Sequence, residues 1–380
     1  MNLPSFPHIG IFQSSPANDR FPRIDQSLMH CRACSHIQLQ RFVDPKALYD
    51  ESFTHRTSAS PSATTSSQAF AEFIRQVASG RRFERLIEIG CNDALLLKQL
   101  SPICNEAIGV DPVLRGNEAA FLSESRESGG GAIRCIGDFI ENVDVEAQLG
   151  GRPDLIVSAF VFEHLADPRH VIRTLLDIAS DDALFCIKVP GTDMLLENCR
   201  FDQISHQHYQ QWTLATFVET IRQAGGHYLT HHIFRDVWGA MMVAFRKVPT
   251  NVALPAFRRA SLEFVKGRKA IFDEHLALAR KTIIGASARR TYGFGAAQNF
   301  PVLAYFWNDD VSFLDAIIDD NPARQDRFYP DIPVPIVGPQ TAIGIEGSNI
   351  VVTGPDYGRA LVRRASELNP HQIIVPFAAI

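Results

Sequence analysis

The chain has 380 residues, 46% of them apolar and 21% charged, and a formal net charge of −5. These ordinary values exclude a wholly disordered chain, and the mild acidity argues against a nucleic-acid-binding surface, which needs clustered Lys and Arg. No apolar run approaches the roughly 18–20 residues that cross a bilayer. Residues 1–16 lack a secretory signal pattern, and the seven scattered cysteines are typical of a reducing compartment. We therefore expect a cytoplasmic protein of about two or three domains that binds neither nucleic acid nor membrane.

The N-terminal part, residues 1–66, is irregular and is predicted to form a small module. It contains one closely spaced cysteine pair, Cys31 and Cys34. Residues 52–68 are rich in Ser and Thr and have no apolar period, which indicates a loop or linker. If that loop is ordered, its hydroxyl groups could contact a polar ligand.

The middle part, residues 67–247, alternates between helical and strand patterns. Helices are predicted over 69–80, 92–101, 170–180 and 214–225. Short apolar runs typical of buried parallel strands lie at 85–90, 106–111, 132–139, 153–162 and 182–190, and a final strand pair at 227–236 and 238–247. This alternation predicts a mostly parallel, doubly wound sheet with helices on both faces.

The C-terminal part, residues 248–380, begins with a helical stretch over 255–285. A second α/β pattern follows it, with strand, turn and helix over 290–307 and 349–366 and single strands over 314–320 and 372–377. This part is too short for a full dinucleotide-binding domain, but it is long enough for a small doubly wound, Rossmann-like domain.

A glycine turn in the middle part is the first candidate for ligand binding. Glu88, Gly90, Cys91 and Asn92 lie where the first strand meets a helix, and Gly90 lets the backbone approach a ligand closely. The turn lacks the G-x-G-x-x-G dinucleotide fingerprint. An acidic residue before the glycine repels phosphate, whereas it suits the sulfonium and ammonium groups of S-adenosylmethionine. We therefore expect this cofactor rather than NAD.

Further cofactor residues are predicted at the carboxyl ends of the next strands, where open α/β sheets bind ligands. Asp111 ends the second strand and could accept hydrogen bonds from two ribose hydroxyls. Asp138 and Phe139 follow the third strand and could hold the adenine. Ala159 and Phe160 lie at the end of the fourth strand.

At this point the chain resembles a family of S-adenosylmethionine-dependent C-methyltransferases that act on nucleotide-linked keto-deoxysugars. The segments that carry the resemblance are Cys31 to Leu39, Asp44 to Tyr49, Thr57 to Ser58, Glu88 to Asp93, Phe162 to Pro168, Val189 to Glu197, Phe201 to His208, Gly293 to Ala297 and Asp319 to Pro322. The resemblance implies a class I methyltransferase domain over 67–247, an N-terminal module with a degenerate zinc-binding motif over 1–66 and a C-terminal Rossmann-like substrate domain over 248–380.

The family reaction removes a proton beside a keto group, after which the enolate attacks the methyl group of the cofactor. A general base must reach that C–H bond, and the resemblance assigns this role to His208. The family has Tyr and Glu where this chain has Ser205 and Gln207, which can form hydrogen bonds but carry no charge. His206 is a second imidazole that could serve instead.

The resemblance also implies substrate contacts, and the residues predicted for these are Phe53, Arg56, Thr57, Ser58, Gly295 and Asn299. A structural zinc needs four ligands, whereas only Cys31 and Cys34 form a pair. The histidines His8, His30 and His36 could in principle supply the missing ligands, but we favour the absence of zinc.

Three alternatives remain open from the sequence. The enzyme could methylate a hydroxyl or amine of another acceptor, because Ser205 and Gln207 depart from the family pattern. The chain could also be an inactive sugar-nucleotide-binding protein, and an NAD-dependent dehydrogenase is a distant third. The expected partner is a small nucleotide sugar, and the expected assembly is a monomer or a homodimer.

Overall fold

The computed structural model describes residues 1–17, 21–43, 56–118, 132–236, 239–286, 288–308 and 311–377, which form three β-sheets with covering helices. The strands are β1 (Asn2–Phe6), β2 (Ile24–His30), β3 (Ile37–Leu39), β4 (Phe83–Ile89), β5 (Cys104–Val110), β6 (Ala132–Ile136), β7 (Leu155–Ala159), β8 (Leu184–Val189), β9 (Gln210–Gln211), β10 (His227–Phe234), β11 (Ala240–Arg246), β12 (Thr291–Phe294), β13 (Ala316–Ile318), β14 (Ile336–Val337), β15 (Asn349–Val352) and β16 (Gln372–Ile374). The helices are α1 (Pro61–Ala78), α2 (Leu95–Leu100), α3 (Val145–Leu149), α4 (Pro168–Ile178), α5 (Thr192–Glu197), α6 (Leu214–Ala224), α7 (Leu262–Gly285), α8 (Phe300–Phe306) and α9 (Gly358–Ser366).

The central sheet has seven strands in the order β10-β11-β8-β7-β4-β5-β6. Strands β4 to β8 are parallel, and β11 runs antiparallel between β8 and β10. All six residues of β8 are buried because helices cover both faces of the sheet, which explains why these strands read as continuous apolar runs. The predicted doubly wound α/β sheet and its terminal strand pair are confirmed.

The N-terminal residues form a small antiparallel sheet in the order β1-β2-β3-β9. Strand β9 comes from the middle part of the chain and directly follows the predicted catalytic segment. The sheet therefore holds that segment from one side. The sequence pattern did not predict these strands, because β3 and β9 have only three and two residues.

The linker predicted over 52–68 is wrong for its second half. Helix α1 already begins at Pro61, eight residues before the predicted start, with the Ser60 side chain accepting from the backbone of Ala63 (3.4 Å). The hydroxyl of Thr65 bonds back to the Pro61 carbonyl (2.9 Å), and Ser66 is buried against the sheet. The serine and threonine residues of this segment therefore cap and line helix α1 and do not form a linker.

The C-terminal part forms a parallel sheet in the order β14-β13-β12-β15-β16, as its α/β pattern predicts. Helix α7 precedes it but begins at Leu262, not at 255, because Ser261 caps it by accepting from the backbone of Phe264 (3.1 Å). One hydrophobic core joins this part to the N-terminal sheet through the segment after α5, as Phe6, Phe201 and Phe272 show. Among the described residues, no helix is both long and apolar enough to span a membrane.

Candidate functional site

The turn that follows β4 has the shape of a cofactor-binding loop. Gly90 has φ +75°, a left-handed conformation that glycine adopts at little steric cost. A Cβ atom there would lie 2.2 Å from Cγ2 of Val161, so a larger residue displaces the segment after β7. Asn92 and Ala94 also have positive φ, and α2 begins directly after them. These residues form a tightly wound turn at the carboxyl edge of the sheet.

Cys91 can contact a ligand at this turn with its backbone atoms but not with its side chain. The side chain is buried, and a Cβ atom on Gly109 of β5 would lie 2.5 Å from its Sγ. A hydrogen bond with the Cys135 thiol, together with burial, raises the pKa of Cys91 well above its usual value, so the thiol is neutral. Its cofactor contact stays a prediction, restricted to backbone atoms.

Asp111, predicted to bind ribose, lies one strand away at the same edge. Its carboxylate accepts backbone hydrogen bonds from Asn92 (2.8 Å) and Val113 (2.9 Å), which fix its orientation. Burial raises the pKa of Asp111, and the guanidinium of Arg56 partly opposes that rise. The structure thus brings Asp111 and Arg56 to the cofactor turn.

Thr57 and Ser58, predicted to bind substrate, lie directly against the cofactor turn. The backbone N–H of Thr57 donates to Oδ1 of Asn92 (3.1 Å), and that of Ser58 donates to Oδ2 of Asp93 (2.8 Å). Phe53 lies outside the described residues. The segment therefore covers the turn, and its contact with a substrate stays a prediction.

A buried acidic side chain and a buried basic side chain lie beneath this edge. Glu88 is 2% exposed, and its Oε2 has no hydrogen-bond partner within the described chain. Burial, followed by the charge of Asp111, raises the pKa of Glu88 well above its usual value. The amine of Lys188 interacts electrostatically with Glu88. Its Nζ donates to the backbone oxygen and to Oγ of Ser66 (both 3.1 Å). Burial lowers the pKa of Lys188 to about 7.

Asp138, predicted to hold adenine, already has several partners. Its Oδ1 accepts from Nη2 of Arg115 (3.1 Å), the backbone of Phe139 (2.8 Å) and Nδ2 of Asn142 (2.9 Å). These bonds, with that from Asn142 the strongest, lower the pKa of Asp138. The carboxylate is therefore charged and rigidly oriented next to Phe139, and the adenine contact of both residues stays a prediction.

The residues after β7 complete the edge. Ala159 ends the strand, and Phe160 takes φ +58°, a conformation that non-glycine residues rarely adopt. The N–H of Phe160 donates to the carbonyl of Lys188 (2.8 Å), and its ring lies 4.7 Å from the Lys188 Nζ. The backbone thus turns sharply here, beside the cofactor loop.

The chemistry of this edge fits S-adenosylmethionine. Gly90 lets the turn pack its backbone directly against Val161 at this edge. The unpartnered Oε2 of Glu88 can accept a hydrogen bond from an ammonium group, and the carboxylate of Asp111 can accept from hydroxyls. A phosphate-bearing cofactor would instead need donors where these carboxyl groups stand.

Two histidines and one carboxyl group form a second feature of the edge, which we call the His–Glu cluster (Glu163, His164 and His208). Donor atoms of the three side chains all lie within 4.8 Å of one another. The rings of His164 and His208 are 5.2 Å apart, and Nδ1 of His164 donates to the backbone oxygen of Gln207 (2.6 Å). Since Glu163 follows Val161 by two residues, the cluster lies close to the cofactor turn.

The two histidines of the predicted catalytic segment point in different directions. Nε2 of His206 bonds to the backbone oxygen of Phe6 (3.0 Å), and its ring packs on His8 (4.8 Å between ring centres). His206 thus faces the N-terminal sheet, whereas His208 faces the cluster. The Oγ of Ser205 lies 3.4 Å from the backbone nitrogen of His208 and caps the turn between them.

Burial keeps the imidazoles neutral. Burial, and then the charge of His164, lowers the pKa of His208 to about 3, and burial also lowers the pKa of His164. Burial raises the pKa of Glu163 to about 8. At pH 7 the cluster therefore holds two neutral imidazoles beside a carboxyl group whose oxygens have no hydrogen-bond partner within the described chain.

Gly295 and Asn299, predicted to cradle phosphate, have other partners. A Cβ on Gly295 would lie 2.7 Å from Cδ1 of Leu361, so the residue permits close packing on α9. Nδ2 of Asn299 donates to Oδ2 of Asp202 (3.1 Å), which joins the C-terminal sheet to the predicted catalytic segment. Their binding of substrate stays a prediction.

Cys31 and Cys34 lie in a turn after β2. No third Cys, His, Asp or Glu donor joins them within the described residues. One ring nitrogen of each nearby histidine is engaged elsewhere, since Nε2 of His30 contacts the Ala260 carbonyl (2.8 Å) and Nε2 of His36 contacts Oε1 of Gln210 (2.7 Å). The zinc half-site therefore stays a prediction that the surrounding residues do not support.

Sequence reasoning missed three residues of this site, namely Glu163, His164 and Lys188. Each follows or ends a strand at the carboxyl edge, and this position in the sequence could have identified it as a candidate site residue. Glu163 and His164 were assigned only to the start of a helix, and Lys188 was hidden in an apolar run.

The chain is similar to known methyltransferases. Residues 63–231 match a family model described as a methyltransferase domain. The chain is similar to the C-methyltransferase NovU of Streptomyces niveus, with 22% identity over 368 residues, covering 91% of this chain and 84% of the relative.

Among solved structures, the chain is similar to the N-methyltransferase NodS of Bradyrhizobium japonicum in complex with S-adenosyl-L-homocysteine. The identity is 14%, the coverage 47% of this chain and 85% of that chain, and the TM-score 0.37. The YcgJ protein of Bacillus subtilis has 17% identity, 42% and 69% coverage and a TM-score of 0.35.

The expected class I fold and the expected cofactor are confirmed by the match over residues 63–231. The match falls on the part of the chain that forms α1, the cofactor turn and the His–Glu cluster. The chain is an S-adenosylmethionine-dependent methyltransferase.

Proposed function

We propose that this methyltransferase transfers a methyl group to carbon of a nucleotide-linked keto-deoxysugar, next to the keto group. The observation that carries the proposal is the position of His208, whose neutral imidazole shares one sheet edge with the cofactor turn. The relative with 22% identity is named a C-methyltransferase, which supports transfer to carbon.

When bound, the cofactor supplies an electrophilic methyl group. Glu88, Gly90 and Asp111 hold and orient it, and Thr57 and Ser58 close over the turn that they contact. A ring nitrogen of His208 accepts the proton from the carbon beside the keto group. The carboxyl group of Glu163 lies within 4.8 Å of this imidazole and can offset its positive charge in the ionised form, while His164 holds the Gln207 backbone in place.

The proposal is tested with isotope-labelled cofactor and a panel of nucleotide 4-keto-deoxysugars, with the position of the label determined by NMR. We expect the label on carbon. Label on oxygen or nitrogen would contradict the carbon acceptor and favour the alternative of a hydroxyl or amine acceptor, for which Ser205 and Gln207 left room.

Replacing His208 by alanine tests the base. We expect turnover to fall roughly 10²–10⁴-fold, while calorimetry shows unchanged S-adenosylhomocysteine binding. The carbon-bound hydrogen of the keto sugar should exchange in D₂O with the wild-type enzyme and cease to exchange with the variant. The exposed His170 of α4 provides a matched control, because His170→Ala should retain both activities. Persistent exchange in His208→Ala would contradict the assignment of the base to His208.

A further inference from the structure

Helix α7 exposes apolar residues on the side that faces away from the protein. Its inner face is apolar and buried, as Val265, Phe272 and Leu276 show. The outer face is not correspondingly polar, because Leu278 is 66% exposed and Ile284 is 49% exposed. A helix that carries apolar residues on both faces usually buries both of them. The outer face of α7 therefore has the composition of an interaction surface.

Small residues lie along the same outer face. Gly267 lies within the helix and Gly285 ends it, and a Cβ atom on either would meet nothing within 4 Å. Glycine destabilises a helix relative to alanine, but it lets a second backbone approach closely. Together with Ala270 and Ala277, which are also exposed, these glycines form a flat strip on which another helix can pack.

Two opposite charges flank the centre of this strip. Glu274 and Lys281 are exposed, and neither forms an ion pair or a side-chain hydrogen bond within the described residues. They are seven residues apart, whereas ion pairs within a helix join residues three or four apart. The midpoint between them falls between Ala277 and Leu278. The two charges therefore lie at equal distances on either side of that point, about 5 Å along the helix axis.

This arrangement is self-complementary for two antiparallel copies of α7. A two-fold axis through the midpoint reverses the second helix, so it sets Glu274 of each copy opposite Lys281 of the other. The same axis brings the two Leu278 side chains together. Each residue pair of a two-fold interface occurs twice, so this contact contains two ion pairs. A parallel pair of helices in register would instead set like charges opposite one another.

We propose that two copies of this chain form a homodimer through antiparallel contact of their α7 helices, centred between Ala277 and Leu278. The contact is only one helix wide, so it buries less than the roughly 1,600 Å² of a standard interface. Exposed ion pairs determine orientation more than affinity. The dimer is therefore weak, with a dissociation constant in the micromolar range. The proposal concerns assembly alone and does not rest on the proposed acceptor.

Sedimentation velocity of the full-length protein, from about 1 to 200 µM, tests the dimer. We expect the wild type to sediment faster as its concentration rises. Glu274→Lys and Lys281→Glu should each weaken association at least roughly fivefold, because each sets like charges opposite one another. The double reversal restores both ion pairs and should associate like the wild type. Arg359→Glu is the matched control, because it reverses an exposed charge on α9 and should leave association unchanged.

A second measurement needs no variant, so misfolding of a variant cannot obscure the result. Unlabelled wild-type protein is mixed with protein labelled with ¹⁵N, and a carbodiimide then condenses carboxylates with amines that they contact, with loss of water. Links within one chain contain a single isotope, whereas links between two copies can combine both. We expect mass spectrometry to find Glu274 joined to Lys281 in peptide pairs that combine both isotopes.

Three results would overturn the proposal. A wild type that stays monomeric over the whole concentration range would leave this face of α7 to a different protein. Association that the double reversal does not restore would exclude the antiparallel register, and so would the absence of mixed-isotope links between Glu274 and Lys281. Because no methyl transfer is measured, failure here leaves the proposed reaction untouched.

Discussion

Gly90 shows how much one residue constrains the cofactor turn. An alanine here meets two obstacles, because φ is +75° and the new Cβ would lie 2.2 Å from Val161. We expect Gly90→Ala to lower the free energy of unfolding by about 2–4 kcal/mol. S-adenosylhomocysteine binding should weaken as well, because the turn must shift to relieve the contact. Urea unfolding and calorimetry measure the two effects.

Gly80 provides the matched control for that prediction. It has φ +84°, yet nothing lies within 4 Å of the position of its Cβ. Gly80→Ala should therefore cost only the backbone strain, about 1–2 kcal/mol, and leave cofactor binding unchanged. Equal effects of the two substitutions on binding would show that the contact with Val161 is irrelevant.

Lys188 should make stability depend on pH in a defined direction. Burial lowers its pKa to about 7, so between pH 7 and 10.5 the unfolded chain binds a proton that the folded chain does not. The free energy of unfolding must then rise with pH across this window. Lys188→Met removes this titrating group. It also leaves the buried Glu88 without a nearby amine, so ionising Glu88 at high pH costs the folded variant more. Both effects raise the stability of the wild type relative to the variant as the pH rises.

Urea unfolding of wild type and Lys188→Met at several pH values between 6 and 10 measures this effect. We expect the stability of the wild type relative to the variant to increase from pH 7 upward, at up to about 1.4 kcal/mol per pH unit. The difference between the two proteins cancels groups that titrate alike in both. A difference that stays flat across the window would mean that Lys188 is charged in the folded protein throughout.

At the scale of elements, the sequence was informative wherever burial imposes a period. Strands β4, β5, β7 and β8 are buried on both faces, and their apolar runs predicted them correctly. The first turns of α1 were missed, because Thr65 and its neighbours satisfy their hydroxyl groups within the helix, which composition does not reveal.

The candidate site was predictable in part for the same reason. Gly90 and Asp111 follow strands, and strand ends meet at one edge of a parallel sheet. The partners of His208 were not predictable, because Glu163 and His164 approach it only when the segment before β9 packs against the segment after β7. Similarly, only the tertiary structure shows that His206 faces Phe6 and not the cluster.

At the scale of the whole molecule, a buried ionic network joins the C-terminal part to the predicted catalytic segment. The guanidinium of Arg200 binds both carboxylate oxygens of Asp202 (both 2.8 Å) and reaches Oδ1 of Asp356 (2.7 Å). Gln203 donates to Asp356, and Asn299 donates to Asp202. Since Gln203 is five residues before His208, the C-terminal part helps to set the position of the imidazole.

Asp356→Ala tests this coupling. Arg200 and Gln203 each lose a buried partner, and we expect the free energy of unfolding to fall by about 2–3 kcal/mol. Turnover should fall because the turn at His208 is less firmly held, while S-adenosylhomocysteine binding should be retained, because Asp356 does not contact the cofactor turn in the hydrogen bonds described. The exposed Arg364–Asp320 pair offers the control, because Asp320→Ala should cost less than about 1 kcal/mol and leave turnover unchanged. If Asp356→Ala loses stability but keeps full turnover, the network holds the parts together without positioning the catalytic segment.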